Sequence, residues 1–107
     1  MIITTTNTVE TRPIAEYLGV VAGETVAGIN AVKDFAAGIR GLVGGRSGTY
    51  EKEALKARES ALQELEQRAQ KMGADAVVGV HVEYTPMGQA SDMLMVTATG
   101  TAVRLSS

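Results

Sequence analysis

Residues 44–73 read GGRSGTYEKEALKARESALQELEQRAQKMG, and this stretch decides the fold. After the glycine-rich loop 44–48, apolar side chains recur every three or four positions, a spacing that predicts one helix from Thr49 to Met72. The apolar stripe of this helix consists of Tyr50, Ala54, Ala57, Ala61, Leu65, Ala69 and Met72. Gly73 suits the left-handed backbone position at which many helices end. Because the rest of the chain is largely strand-like, we expect this helix to cover a β-sheet.

Two strands are predicted ahead of this helix. Ile2–Thr6 is short and rich in β-branched residues, and the polar segment Asn7–Pro13 that follows it is a loop. Ile14–Ile29 is a longer segment of extended character with apolar residues on both faces. Glycine within a strand marks a bend, a bulge or a close backbone contact, and Gly23 is the candidate position for a break in this strand.

Two further strands, Asp75–Thr85 and Met93–Leu105, follow the helix and are joined by a turn over residues 86–91. They are predicted to form an antiparallel hairpin. Strict alternation divides the first of them into one face with Ala76, Val78, Val80, Val82 and Tyr84, and another with Val77, Gly79, His81, Glu83 and Thr85. In the second, the even-numbered residues from Leu94 to Arg104 form one face and the odd-numbered residues from Met93 to Leu105 form the other.

A second, shorter helix is predicted between the long first strand and the glycine-rich loop. Asn30 is a suitable N-cap, and the apolar residues after it fall at helical spacing, namely Val32, Phe35, Ala36, Ile39, Leu42 and Val43. The elements together predict an α+β fold, a mainly antiparallel sheet with one short and one long helix on one face. The 107 residues suit a single domain, 1–107.

Composition limits the classes of function. The net charge is −2 and the basic residues are not clustered, so a nucleic-acid partner is not expected. No apolar run is long enough to span a membrane and the amino terminus is unlike a signal peptide, which favours a cytoplasmic protein. The chain has no cysteine, so thiolate chemistry and cysteine-based metal sites are excluded.

The strands carry more apolar surface than two helices can cover. All three long strands are substantially apolar or uncharged on both sides, whereas the helices lie on one face of the sheet. A monomer would expose a larger patch of valine, threonine, methionine and isoleucine than soluble monomers usually do. We therefore expect a homo-oligomer.

Two segments are candidate sites, and each has a simpler structural explanation. Gly45, Arg46, Ser47 and Gly48 precede a helix and could bind an anion through converging backbone amides and the arginine; the alternative is a connector at a subunit boundary.

His81 could bind a soft metal ion if Met93 or Met95 faced it across the hairpin; the alternative is a surface histidine beside methionines that fill gaps in a core. Catalysis has little support, because no nucleophile is placed to act with the histidine. Glu16, Glu24 and Arg104 are expected to form ion pairs between strands or subunits.

The chain closely resembles the YbjQ family of prokaryotic proteins, whose function is not established. The resemblance covers nearly the whole sequence and is carried by the blocks EYLGVV (16–21), KDF (33–35), GGRSG (44–48), YE (50–51), GADAVVG (73–79) and GTAV (100–103). It implies a fold of the dodecin-subunit type, assembly into ring-shaped pentamers, sometimes with exchanged strands, and a family label of heavy-metal binding.

We expect a non-enzymatic, homo-oligomeric binding module, a pentamer by resemblance, with a site for a small ligand, an anion or a metal between subunits. The alternative is a scaffold or protein-interaction module without a small ligand. An enzyme with an active site between subunits is the least supported hypothesis. The sequence does not identify a cofactor.

Overall fold

The computed structural model describes residues 1–28, 48–88 and 93–107. In these ranges the chain forms five elements in the order β1 (Ile2–Ile3), β2 (Ile14–Gly28), α1 (Gly48–Lys71), β3 (Ala76–Met87) and β4 (Met93–Leu105). The predicted short helix after Asn30 lies outside the described residues, as does most of the turn between β3 and β4.

The four strands form one mixed sheet in the order β1-β3-β4-β2. The hairpin between β3 and β4 is antiparallel, as predicted, and β2 pairs with β4 in the same sense. The short strand β1 pairs with β3 in parallel. Beyond Ile3 the contact continues through single backbone bonds, the last being from the amide of Gly79 to the carbonyl oxygen of Thr6 at 2.8 Å. The fold is therefore α+β, with a mainly antiparallel sheet.

The predicted long helix is confirmed, with α1 ending two residues before Gly73, whose φ is +82°. Its stripe of small side chains packs against the sheet, and Ala57, Ala61, Leu65 and Ala69 are all buried. The small side chains let the helix backbone approach β2 and β4 closely.

The prediction of one long strand is confirmed, because β2 is continuous from Ile14 to Gly28, and the candidate break at Gly23 does not occur. Its irregularities lie nearer its start, between Ile14 and Glu16 and between Tyr17 and Gly19. Gly23 has a different role. A Cβ atom placed there would overlap the carbonyl oxygen of Ala61 and the backbone of Leu65, so glycine at this position allows α1 to lie directly on the strand.

The predicted alternation along β3 is wrong beyond Val78, because the pairing with β4 shifts between Val78 and His81. Gly79 lies within this bulge and has φ +62°, a backbone conformation that residues other than glycine rarely adopt. Ala76 and Val78 belong to a small cluster with Val103 and Leu105. After the shift, two residues predicted to share the face of Val78 pack instead with the core under α1, namely Val80 and Val82.

The two faces of the sheet consequently differ in cover. The face under α1 carries the main core. On the opposite side, the loop that contains Val9 covers only the end of the sheet near Ala76 and Leu105. The remainder of that side is called the open face and consists of Tyr17, Val20, Ala22, Glu24 and Val26 of β2, Met93, Met95, Thr97, Thr99 and Thr101 of β4, and His81, Glu83, Thr85 and Met87 of β3.

Candidate functional site

The open face places side chains of different chemistry in cross-strand rows. Residues directly opposite each other on neighbouring strands point to the same side of a sheet. The rows across β3, β4 and β2 start near the end of the sheet that the loop containing Val9 covers. In order from that end they are His81–Thr99–Ala22, Glu83–Thr97–Glu24, Thr85–Met95–Val26 and Met87–Met93–Gly28. Imidazole and carboxylate groups therefore occupy one part of the face, and thioether and aliphatic groups the other.

The most defined polar contact on this face joins two residues of β3. His81 Nε2 lies 3.1 Å from Glu83 Oε1, and both side chains are 67% exposed. The sequence predicted that these residues share a strand face, which this contact confirms. The contact is an ion pair only when the imidazole is protonated. The pair offers an imidazole nitrogen and a carboxylate to any group that approaches the face.

The two predicted thioether partners of His81 lie elsewhere on the hairpin. His81 is opposite Thr99, whereas Met95 is opposite Thr85 and Met93 is opposite Met87. Four residues of β4 correspond to about 13 Å along the strand, so the register does not bring Met95 or Met93 to the imidazole within one subunit. It instead brings Met87, which the sequence analysis did not consider, beside Met93.

A heavy-metal site requires more donors than one subunit offers in the described ranges. In residues 1–28, 48–88 and 93–107 there is no group of three or more His, Cys, Asp or Glu side chains that could hold a metal ion. The chain also has no cysteine, the ligand that soft metals favour. The described donor set does not fit a complete heavy-metal site within a single subunit.

The predicted anion site cannot be placed on the described fold. Gly45, Arg46 and Ser47 lie outside the described residues, and Gly48 is the first residue of α1. The site stays a prediction.

Two arginines form polar contacts with β2. Arg68 of α1 donates from Nη1 to the carbonyl oxygen of Ala22 at 2.7 Å and to Glu24 Oε2 at 3.1 Å. Its Nη2 also pairs with Glu64, one helical turn away. Nearer the start of the strand, Arg104 Nε lies 3.7 Å from Glu16 Oε1. The expected ion pair between strands is thus confirmed for Glu16 and Arg104, whereas Glu24 pairs with Arg68 of the helix instead.

A comparison with known protein families finds a match over nearly the whole chain. A family model described as "Putative heavy-metal-binding" matches residues 1–106. The chain belongs to the YbjQ family. The resemblance noted from the sequence blocks is therefore confirmed.

Similar bacterial proteins carry names without an activity. The chain is 52% identical over 103 residues to a UPF0145 protein of Acetivibrio thermocellus, and the match covers 96% of this chain and 97% of that protein. It is 57% identical over 103 residues, with the same coverage, to a UPF0145 protein of Clostridium botulinum strain Alaska E43. No reaction is attached to either name.

A solved structure supports the fold. A protein of unknown function from Pediococcus pentosaceus, assigned to the DUF74 family, superimposes with a TM-score of 0.66. The superposition covers 99% of this chain and 98% of that one, at 16% sequence identity. At this identity the likeness concerns the fold alone. Among the described residues, no helix of this YbjQ protein is long and apolar enough to cross a membrane.

Proposed function

We propose that this YbjQ protein is a non-enzymatic, homo-oligomeric binding module whose ligand site lies between subunits. The observation that carries the proposal is the uncovered apolar surface on the open face. Val20 is 79% exposed, Tyr17 is 71% exposed and Val26 is 53% exposed. Large apolar side chains that are exposed together on one face of a sheet mark interaction sites in soluble proteins.

The two edges of the sheet support assembly into a ring. β2 forms one edge. At the other edge, β1 pairs only with Ala76 and Val77 of β3. Val80 is the last residue along β3 whose amide bonds to the segment after β1, at the carbonyl oxygen of Thr4. In the described part of the chain the outward edge of residues 81–87 has no strand partner. Contacts between two different surfaces of identical subunits are head-to-tail, and they close into rings when the rotation allows. The resemblance to pentameric, dodecin-type rings supports the number five.

A ligand site between subunits follows from what one copy provides and lacks. The open face of one subunit offers the imidazole of His81, the carboxylates of Glu83 and Glu24, and the thioethers of Met93 and Met95. A second subunit facing this surface would enclose these groups and exclude water from them. Enclosure strengthens polar interactions and buries the apolar residues beside them.

Metal binding is a second candidate for the same place, favoured by the contact between His81 and Glu83 and by the description of the family. Two donors from each subunit would be combined across an interface. Imidazole and carboxylate together suit a borderline ion such as Zn²⁺ or Ni²⁺ better than Cu⁺. Equilibrium dialysis of the wild type and of His81→Gln against these three ions tests the candidate. Absence of stoichiometric binding to the wild type, or equal binding to the variant, would contradict it.

Native mass spectrometry of protein purified without added ligand tests the proposal as a whole. The chain mass is 11.2 kDa, and we expect one closed assembly of several chains, five by resemblance, with a retained small molecule or metal ion. A monomer at micromolar concentration would contradict the proposal. A ligand-free assembly that takes up nothing from a ligand panel would favour the scaffold alternative instead.

A further inference from the structure

A groove runs between α1 and β3, on the side of the sheet that the helix covers, and His81 of the open face also contributes to its lining. It forms because α1 packs mainly over β2 and β4 and leaves part of β3 uncovered. The groove has a volume of about 550 Å³. Sites for small organic molecules commonly fall within roughly 300–1,000 Å³. The space is therefore sufficient for a small organic ligand.

The lining of the groove is apolar at its base. Leu62 of α1 and Val80 and Val82 of β3 all belong to the main core or pack against it. Tyr84 stands in the same groove with 45% of its surface exposed. Beyond Tyr84 the depression continues along α1 past Leu55, which is also 45% exposed. An elongated apolar group could lie along this base.

Arg58 gives the groove a cationic side chain. Among the described residues that line the groove it is the one arginine or lysine, and it is half-buried. Within the described ranges no side-chain hydrogen bond or ion pair involves its guanidinium group. A guanidinium group presents a planar set of donors that matches a carboxylate. In the described part of the chain the groove therefore combines an apolar base with a guanidinium group that no side chain engages.

Glu59 restricts the charge of the occupant. It also lines the groove but is exposed, whereas its neighbour Arg58 is half-buried. A carboxylate near the opening repels a second negative charge on a ligand. Phosphate esters and dicarboxylates are consequently disfavoured relative to molecules with a single carboxylate.

We propose that this groove binds a small organic monoanion with an apolar body. The carboxylate pairs with Arg58, and the apolar body lies over Leu62, Val80 and Val82 beside Tyr84. The proposal goes beyond the function proposed above, because the site lies within one subunit and does not depend on assembly. It predicts one ligand for each chain whatever the number of subunits.

Titration of the full chain with 4-phenylbutyrate tests the proposal, with calorimetry for affinity and backbone amide NMR for location. The matched control is the neutral amide of the same compound. We expect saturable binding of the acid, with shifts at Thr4, Arg58 and Tyr84 and none at Val20. The affinity for the amide should be lower by at least about ten-fold, because hydrogen bonds to charged groups are stronger than those to neutral groups.

Two adjacent substitutions should change the affinity in opposite directions. Arg58→Gln should lower the affinity for 4-phenylbutyrate about ten-fold or more. Glu59→Gln should instead raise this affinity by a few-fold. Lys52→Gln is the control, because Lys52 is exposed on the same helix and does not line the groove. Arg58→Lys, which keeps the charge but loses the planar donor set, should give an intermediate affinity.

Three results would overturn the proposal. These are no binding of 4-phenylbutyrate to the wild type at millimolar concentration, equal binding of the acid and the amide, and wild-type affinity in Arg58→Gln. If Arg58→Gln fails to fold, the comparison of acid with amide on the wild type decides alone. Neither measurement depends on the number of subunits, so failure here leaves the proposed assembly untouched.

Discussion

Two adjacent valines show how much the solvent exposure differs between the two faces of the sheet. Val21 points toward α1 and is 4% exposed, whereas Val20 points to the open face and is 79% exposed. The two side chains are chemically identical and lie on the same strand. Only the element packed against them differs. Residue type alone therefore does not determine burial in this sheet, and the helix is what distinguishes its faces.

The covered face also shows why so few aromatic residues are needed. Ala61 and Ala69 are fully buried, and Gly23 lets the helix backbone lie against β2. Close approach replaces bulky side chains with backbone and small-residue contacts, which retain dispersion energy at high packing density. The open face has residues of similar size, but no described element outside the loop that contains Val9 packs on it to supply such contacts.

The largest effect should come from the centre of the covered face. Leu65 is fully buried, so Leu65→Ala should lower the free energy of unfolding by about 3 kcal/mol through lost burial and the cavity that remains. Leu55→Ala, on the same helix at 45% exposure, is the matched control and should cost less than about 1 kcal/mol. Urea denaturation followed by circular dichroism measures both at one fixed protein concentration. Similar losses in the two variants would contradict the assigned helix face.

The adjacent valines provide the direct test of the comparison. Val21→Ala should cost about 1–2 kcal/mol at any protein concentration, because its methyl groups pack in the core of each subunit. Val20→Ala should leave the stability of an isolated subunit within about 0.5 kcal/mol. If the open face is an interface, Val20→Ala should instead raise the concentration at which the assembly dissociates. Sedimentation at several dilutions separates these outcomes, and an unchanged assembly would place the interface elsewhere.

The smallest effect should come from the ion pairs at the edge of β2. Arg68→Gln removes the bond to Ala22 and the pairs with Glu24 and Glu64, but the arginine side chain is 46% exposed. Solvent screening limits the expected loss to less than about 1 kcal/mol, and the loss should shrink in 1 M salt. Lys56→Gln, at an exposed position of the same helix, serves as the control. A salt-independent loss above 2 kcal/mol would mean that the contact is more buried than the structure indicates.

The sequence predicted the regular elements well because their periodicity is strong. The stripe from Ala54 to Ala69 fixed the helix, and the alternation in β4 correctly assigned its two faces. Gly79 was different. A glycine within a strand is compatible with a bulge, but pattern alone does not say that one residue is added there. The strand faces beyond Val78 were therefore assigned to the wrong sides.

The candidate site was only partly predictable for a related reason. Residues two apart on one strand share a face, so the contact between His81 and Glu83 follows from spacing alone. The partners of His81 on β4 depend on the register, which the turn and the bulge set together. Neither could be derived from the sequence, and this is why the contact of Met93 or Met95 with the imidazole was only a condition of the predicted metal site. Arg58 of the groove gave no sequence signal, since a single arginine on a helix is ordinarily solvated.

The bulge at Gly79 has a practical consequence for mutagenesis and for comparing family members. A scan that assigns the faces of β3 by strict alternation from Val77, which packs under α1, would select Val82 as an outer residue and Glu83 as an inner one, the reverse of their positions. A charge introduced at Val82 on that basis would enter the core, whereas the same charge at Glu83 would be harmless. Any related chain that lacks the extra residue would require its alignment to be offset by one position from this point onward.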